Sequence, residues 1–362
     1  MRNRFCFSLG ALAVVMAAIL CAPTLVAAQA QSGAAAKTAT KPGMSKKAWT
    51  MPRTPDGQPE LQGVWTNNSV TPLQRPKELA GKEYYTEAEL AELQKRERER
   101  LALDDKEGEP AANHSGVEGA PAENVHYDHA QFGLDWLQSK VAWNRRTSLI
   151  VGPDGTIPPL TAEARKRLAE SAAKEKGHEF DGPENRPLAA RCIARPNTGP
   201  PLLPTRYNSN LQIVQGPGYV AIETEEIHDV RIIPLDGRPH LPKNIRQWMG
   251  DSVGHWEGNT LVVDTTNFTD LNPFPGAQNL HVIERITRAG EDTILYQFTV
   301  EDPGMWIKPW SGEVPIKKIR GQLYEYACHE GNYGLANTLR GARVAEAEAA
   351  PKNDESNSHG FR

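Results

Sequence analysis

The hydrophobic pattern changes character about half-way along the chain. From residue 210 onward, apolar and polar positions alternate in short segments, each bounded by a turn signal. Asn210–Val214 runs into Gly216-Pro217-Gly218, and Tyr219–Thr224 continues beyond it. Ile227–Leu235 ends at Asp236-Gly237, a tight-turn pair. Trp256-Glu257-Gly258-Asn259 turns into Thr260–Thr266, and Leu280–Arg288 turns through residues 289–292 into Thr293–Glu301. Gln322–Cys328 closes the series. Period two, with Val, Ile, Thr and Tyr enriched, is the signature of half-buried strands. Short connections make neighbouring strands antiparallel, and the number of segments is enough to close a barrel. The expected fold is mainly β: an antiparallel β-barrel or a strongly bent meander.

The first half carries two helices. Thr86 and Glu89 form a capping box ahead of a helix over 87–103, and Thr161 caps a second over 162–176, stopped by Gly177. Each has only a thin apolar stripe (Leu90 and Leu93; Leu168), so both are expected as peripheral decoration packed on something else. Residues 104–130 between them are acidic and turn-rich, which predicts a surface excursion.

The chain of 362 residues contains 30 glycines and 28 prolines, too much punctuation for a helical bundle. A formal charge of −4 supplies no basic footprint, so nucleic acid is not an expected partner. Arg2 and Arg4, an apolar run from Phe5 to about Leu20, and Ala28-Gln29-Ala30 have the order of a secretory signal peptide spanning 1–30. The apolar run is short for a membrane span, and bulky Leu20 ahead of Cys21 disfavours lipid attachment at that cysteine. Residues 31–53 read as a flexible leader, 54–345 as a single domain and 346–362 as a flexible tail. An exported, periplasmic or secreted chain with no integral membrane segment after cleavage is expected. Cleavage would leave Cys192 and Cys328, which an oxidising compartment pairs in preference to leaving a nucleophilic thiol. A bridge closing so long a loop stabilises by roughly 4–5 kcal/mol.

Five stretches carry a resemblance: Thr54–Trp65 (TPDGQPELQGVW), Gly152–Leu160, Ile227–His240 (IHDVRIIPLDGRPH), Gly250–Asp264 (GDSVGHWEGNTLVVD) and Tyr324–Tyr333 (YEYACHEGNY). Together they resemble a group of exported bacterial proteins without an assigned activity. The likeness spans about 54–343, which implies one domain and assigns no catalytic residue. Gly63-Val64-Trp65 separately resembles the Gly-x-Trp that opens lipocalin-type barrels.

Candidate chemistry therefore rests on the residues. The densest polar cluster is Glu225–Arg231; read as a strand, it puts His228 on one face and Asp229 with Arg231 on the other, within pairing reach. His329-Glu330 follows the last expected strand, where an acid can orient an imidazole across a barrel mouth. Tyr207, Asn208, Arg246, Trp248 and Trp256, near Asp251 and His255, suit a flat or aromatic ligand, and Trp306 and Trp310 add to that stock, although each tryptophan alone is more often core. No cofactor is expected. A metal held by His228, His240, His255, His281 or His329 from separate strands stays open, but no sequence spacing specifies one. Gly250-Asp251-Ser252-Val253-Gly254 satisfies Gly-x-Ser-x-Gly but lacks the strand-before, helix-after setting of a nucleophile elbow. Three functions follow: an enzyme performing acid–base chemistry (lyase, isomerase or hydrolase) on a small cyclic or aromatic molecule, a non-catalytic small-molecule-binding protein, or an accessory envelope protein.

Overall fold

Alternation along the second half becomes a nine-stranded sheet. Its strands are β1 (Gly63–Thr66), β2 (Asn210–Gly216), β3 (Tyr219–Thr224), β4 (Val230–Pro234), β5 (Asp251–Glu257), β6 (Thr260–Thr266), β7 (His281–Gly290), β8 (Thr293–Glu301) and β9 (Trp310–Lys318). The computed structural model describes residues 49–104, 143–196, 198–205, 208–276 and 279–350, and from Trp49 onward these belong to one compact unit. The expected signal peptide, the leader up to residue 48, the excursion beyond residue 104 and the tail from residue 351 lie outside the described residues.

The spatial order is β4-β3-β2-β1-β9-β8-β7-β6-β5, and every ladder is antiparallel. An odd number of alternating strands leaves the two edges, β4 and β5, running in the same direction. Parallel neighbours need a long crossover rather than a hairpin, and the chain from Leu235 to Gly250 supplies it. The sheet curls into a nearly closed barrel in which β4 and β5 meet side chain to side chain. Gly254 on β5 makes that approach possible: a Cβ there would lie 2.8 Å from Ile233 Cγ2 and 3.0 Å from Leu235 Cδ2 of the β4 side.

Side chains fill the interior. Strands β7 and β8 bury alternate residues, Val282, Glu284, Ile286 and Arg288 on one and Ile294, Tyr296, Phe298 and Val300 on the other. Trp65 is fully buried; its indole N–H donates to Leu61 O (2.9 Å), and Arg288 lies 5.7 Å from its ring centre. Gly63, two residues earlier, has φ 133°, a conformation open to glycine. The glycine and tryptophan of the Gly-x-Trp motif thus have separate physical jobs, one a positive-φ start to β1 and the other a barrel plug. Trp306 and Trp310 join the core.

One polar network crosses this core. Arg231 on β4 makes a two-pronged ion pair with Glu284 on β7. Tyr296 on β8 donates to Glu284 (2.9 Å) and accepts from the Leu202 N–H (2.9 Å). Burial holds the Tyr296 hydroxyl well above its ordinary pKa, so it stays a donor.

Among the described residues three α-helices decorate the barrel: α1 (Glu87–Asp104), α2 (Ala162–Glu175) and α3 (Tyr333–Ala349). Both expected caps form: Thr86 and Glu89 bond reciprocally, and Thr161 accepts from Ala164 N. Cys192 and Cys328 are disulfide-bonded, with Cα atoms 5.7 Å apart.

Four expectations are corrected. Gln322–Cys328 is not a strand; the ninth strand is Trp310–Lys318, and α3 occupies the first residues of the expected tail. The strand expected from Ile227 begins at Val230, because Glu226–His228 forms a 3₁₀ turn. Asp229 and Arg231 do not pair, since Glu284 fills the guanidinium fork. Arg53 is not leader: it bridges to Pro59 and bonds Gly57 O (2.8 Å).

Breaking a buried ion pair leaves an uncompensated charge, whereas removing both partners does not. Glu284→Gln is expected to lower urea stability by about 3–5 kcal/mol. Adding Arg231→Met to Glu284→Leu should recover most of that loss in the same melts.

Candidate functional site

The β3–β4 connection is the most strained stretch of described backbone. Thr224 N–H donates to Asp229 O (3.0 Å) and His228 N–H to Glu225 O (3.2 Å), which forces the chain to reverse within five residues. Ile227 (φ 67°) and His228 (φ 49°) consequently both adopt the left-handed conformation. For a β-branched residue that is costly, and the burial of the Ile227 side chain offsets it. Paired strain of this kind persists where surrounding structure over-determines it, and it clusters at functional sites.

Three carboxyl groups gather on this turn. Burial pushes Glu225 above the usual carboxylate range against the opposing hydrogen bond from Asn210 Nδ2 (2.7 Å). Glu226 is buried and paired with Arg195 at 2.6 Å. Burial also raises Asp229, opposed by the charge of neighbouring His228, and the Asp229 Oδ2 atom is buried without a hydrogen-bond partner. Nearby, Asn67, Thr198, Asn208, Asn210, Thr224 and Glu226 surround a cavity of about 10 Å³, enough for one water. The side-chain oxygens of Asn67 and Asn208 face no partner there, and Asn208 itself has φ 50°. Unsatisfied buried polar atoms of this kind need a reason. Here three of them sit at one end of the barrel.

A larger cleft opens along the seam that begins at Val230. Its volume is about 300 Å³. Val230, Ile232, Pro234, Leu241, Met249 and Val253 supply apolar walls, while Arg231 and Ser252 reach its floor. No ladder zips β4 to β5, so this is where the barrel wall admits a groove. A pocket of this size with few polar groups suits a small molecule.

The candidate residues are brought together only in part. His228, Asp229 and Asn208 lie at the strained mouth, with His228 exposed. Tyr207 lies outside the described residues. His329 and Glu330 form an exposed turn ahead of α3, and no hydrogen bond or ion pair joins them to His228 or Asp229. Arg246 donates to Phe268 O (2.8 Å) and pairs with Asp270, fastening the crossover rather than facing the cleft. Trp248 is on the crossover and exposed, whereas Trp256 is half-buried near the far end of β5, so the two do not form one aromatic cradle. Ser252 lies within β5, faces inward and bonds Thr265 (2.9 Å), flanked by strand on both sides.

Sequence reasoning missed the carboxylate partners of the histidines. His240 bonds Asp251 and Asp264, each at 2.9 Å; His281 bonds Asp264 at 2.9 Å and Glu301 at 3.1 Å. Among the described residues no group of three or more His, Cys, Asp or Glu side chains is placed to hold a metal ion, and no helix is long and apolar enough to cross a membrane. No protein-family model and no curated protein matches the chain.

The raised Asp229 pKa has a stability consequence. Below its unfolded value the group is protonated in both states and costs nothing. The penalty for burying the charge appears as pH rises through that value and is complete above the raised folded value. Asp229→Asn is therefore expected to stabilise the protein at pH 7 and to leave it unchanged near pH 3, as thermal melts at the two pH values would reveal.

Proposed function

We propose that this chain is an exported enzyme that moves a proton on a small cyclic or aromatic molecule, with Asp229 as the acid–base group. The observation that carries this reading is the Asp229 carboxyl: half-buried, raised in pKa, with one oxygen unpartnered, on a strained turn one residue before Val230, where the lining of the seam cleft begins. Burial raises this carboxyl above its ordinary value, the direction that favours holding a proton. His228, exposed beside it, exchanges that proton with solvent. Glu225 is a second raised carboxyl one turn away. Arg231 is not assigned an anion-holding role, because Glu284 occupies both prongs of its guanidinium. The disulfide suits an oxidising compartment, in keeping with export.

A second reading is reversible binding without chemistry, favoured by the cleft of about 300 Å³ with its apolar walls. Proton transfer leaves a trace that binding does not: deuterium from D₂O enters the bound molecule. A panel of enolisable cyclic ketones and lactones, incubated in D₂O and followed by NMR, is expected to gain deuterium with the native protein. Asp229→Asn should slow that gain by about 100-fold or more, and His228→Ala by a smaller factor. Incorporation that is unaffected by Asp229→Asn would reject the assignment. Saturable binding with no incorporation would favour the second reading.

A further inference from the structure

The crossover Leu235–Gly250 is tied to the strands in its first half by one chain of alternating acids and imidazoles. That chain runs Asp251–His240–Asp264–His281–Glu301, with contacts of 2.9, 2.9, 2.9 and 3.1 Å, across β5, β6, β7 and β8. All four ring nitrogens face carboxylate oxygens. A neutral imidazole carries one N–H, so bonding on both sides requires the doubly protonated ring. Removing a proton turns a ring lone pair against a carboxylate oxygen at about 3 Å. With both nitrogens occupied, neither histidine has a free site to take a proton from a substrate, which separates this array from the acid–base group proposed above.

The array is wired to the cleft. His240 lies between Pro239 and Leu241, both of which line it. Leu241 N–H also donates to Asp251 Oδ2 (2.8 Å), and Leu241 O accepts from Asn267 Nδ2 (2.8 Å). Further along, Gln247 N–H bonds Asn267 O and Thr269 N–H bonds Gln247 O. Leu241 and Ile245 leave much of their apolar surface in water, so little burial holds this part of the crossover down. We propose that the crossover is a lid over the seam cleft, fastened through the Asp251–His240–Asp264–His281 chain, and that it loosens as the His281 imidazole loses its proton.

This regulation rests on the cleft being the binding site. The charged groups facing the two rings are Asp251 from β5, Asp264 from β6 and Glu301 from β8, with Arg238 of the crossover beside Asp251. The hydrogen bond to Asp264 raises the His281 pKa, and the same bond lowers that of Asp264. For the raised histidine the fastening is complete below the ordinary imidazole value of about 6.5 and is lost as pH climbs through the higher folded value. For the depressed Asp264 it is lost only in strong acid. The lid is thus closed in weak acid and opens on the alkaline side.

Two readouts on the full chain test this, one of them independent of any ligand. NMR of the imidazole rings follows protonation of His240 and His281, while hydrogen exchange of the Leu241 and Thr269 amides, corrected for intrinsic base catalysis, follows the lid. Protection at these amides is expected to fall by about tenfold or more as His281 deprotonates, with β7 and β8 amides unchanged. His281→Gln, which bonds without titrating, should flatten that step. Asp264→Asn should flatten it too if the glutamine variant folds poorly. Flat protection while His281 deprotonates overturns the proposal, as does a His281 ring already neutral near pH 6. Dissociation of 1-anilinonaphthalene-8-sulfonate from the cleft should accelerate over the same pH range. A clear protection step with no binding of this dye or of the cyclic panel at any pH would sink the cleft reading and leave the latch standing.

Discussion

Nine antiparallel strands cannot close on themselves with a ladder of the same kind. The two edges run parallel, and everything unusual in this protein lies along the line where they meet. Backbone pairing is absent across β4 and β5, so closure is left to side chains: Ile233 and Leu235 packing over Gly254, and Arg231 reaching through the interior to Glu284. The ion pair ties the free edge β4 to β7 on the opposite wall, and Tyr296 extends it to β8 and to the backbone of Leu202. Such a pair contributes little net stability against an apolar core of equal volume. Its contribution is positional, because a guanidinium gripped at two points admits one placement of β4.

The same line gathers the features that ordinary folding does not require. The turn feeding β4 holds two successive left-handed residues, and the carboxyl that follows them keeps one oxygen unsatisfied. Elsewhere the buried charges are answered, Arg231 by Glu284 and Glu226 by Arg195. That contrast separates Asp229 from the structural polar network. The cleft beside it follows from the missing ladder, and the crossover that walls the cleft follows from parallel edges. A single topological constraint therefore links the groove, its wall and the strained turn.

Much of this was legible beforehand, and the failures have physical causes. Strands β2, β3, β6, β7 and β8 are each bounded on one side by a glycine-bearing turn, with clean alternation along β7 and β8, and the helix starts at Thr86 and Thr161 were readable from their caps. Strand β9 was hidden because Gly312 and Pro315 sit inside it, and proline is rare away from sheet edges. Helix α3 was hidden by Gly334 and Gly341, which lower helix propensity. The segment Ile227–Asp229 continues the alternation of β4 in sequence, so nothing in the pattern announced that the backbone would turn left-handed there. The ion pair had one available signal: Glu284 occupies a core-facing position between Val282 and Ile286, and a carboxylate on that face needs a buried cation. The histidine array offered none, since its five members come from the crossover and four strands, and only the register of β5 to β8 aligns them.

Hydrogen–deuterium exchange resolved to single amides tests the unzipped seam most directly. The account predicts that, under conditions where β7 and β8 amides exchange only through global unfolding, the β5 amides turned away from β6 exchange through local opening. The β4 amides turned away from β3 should do the same. Protection of both edges equal to that of β7 and β8 would mean that β4 and β5 are hydrogen-bonded, and would contradict it.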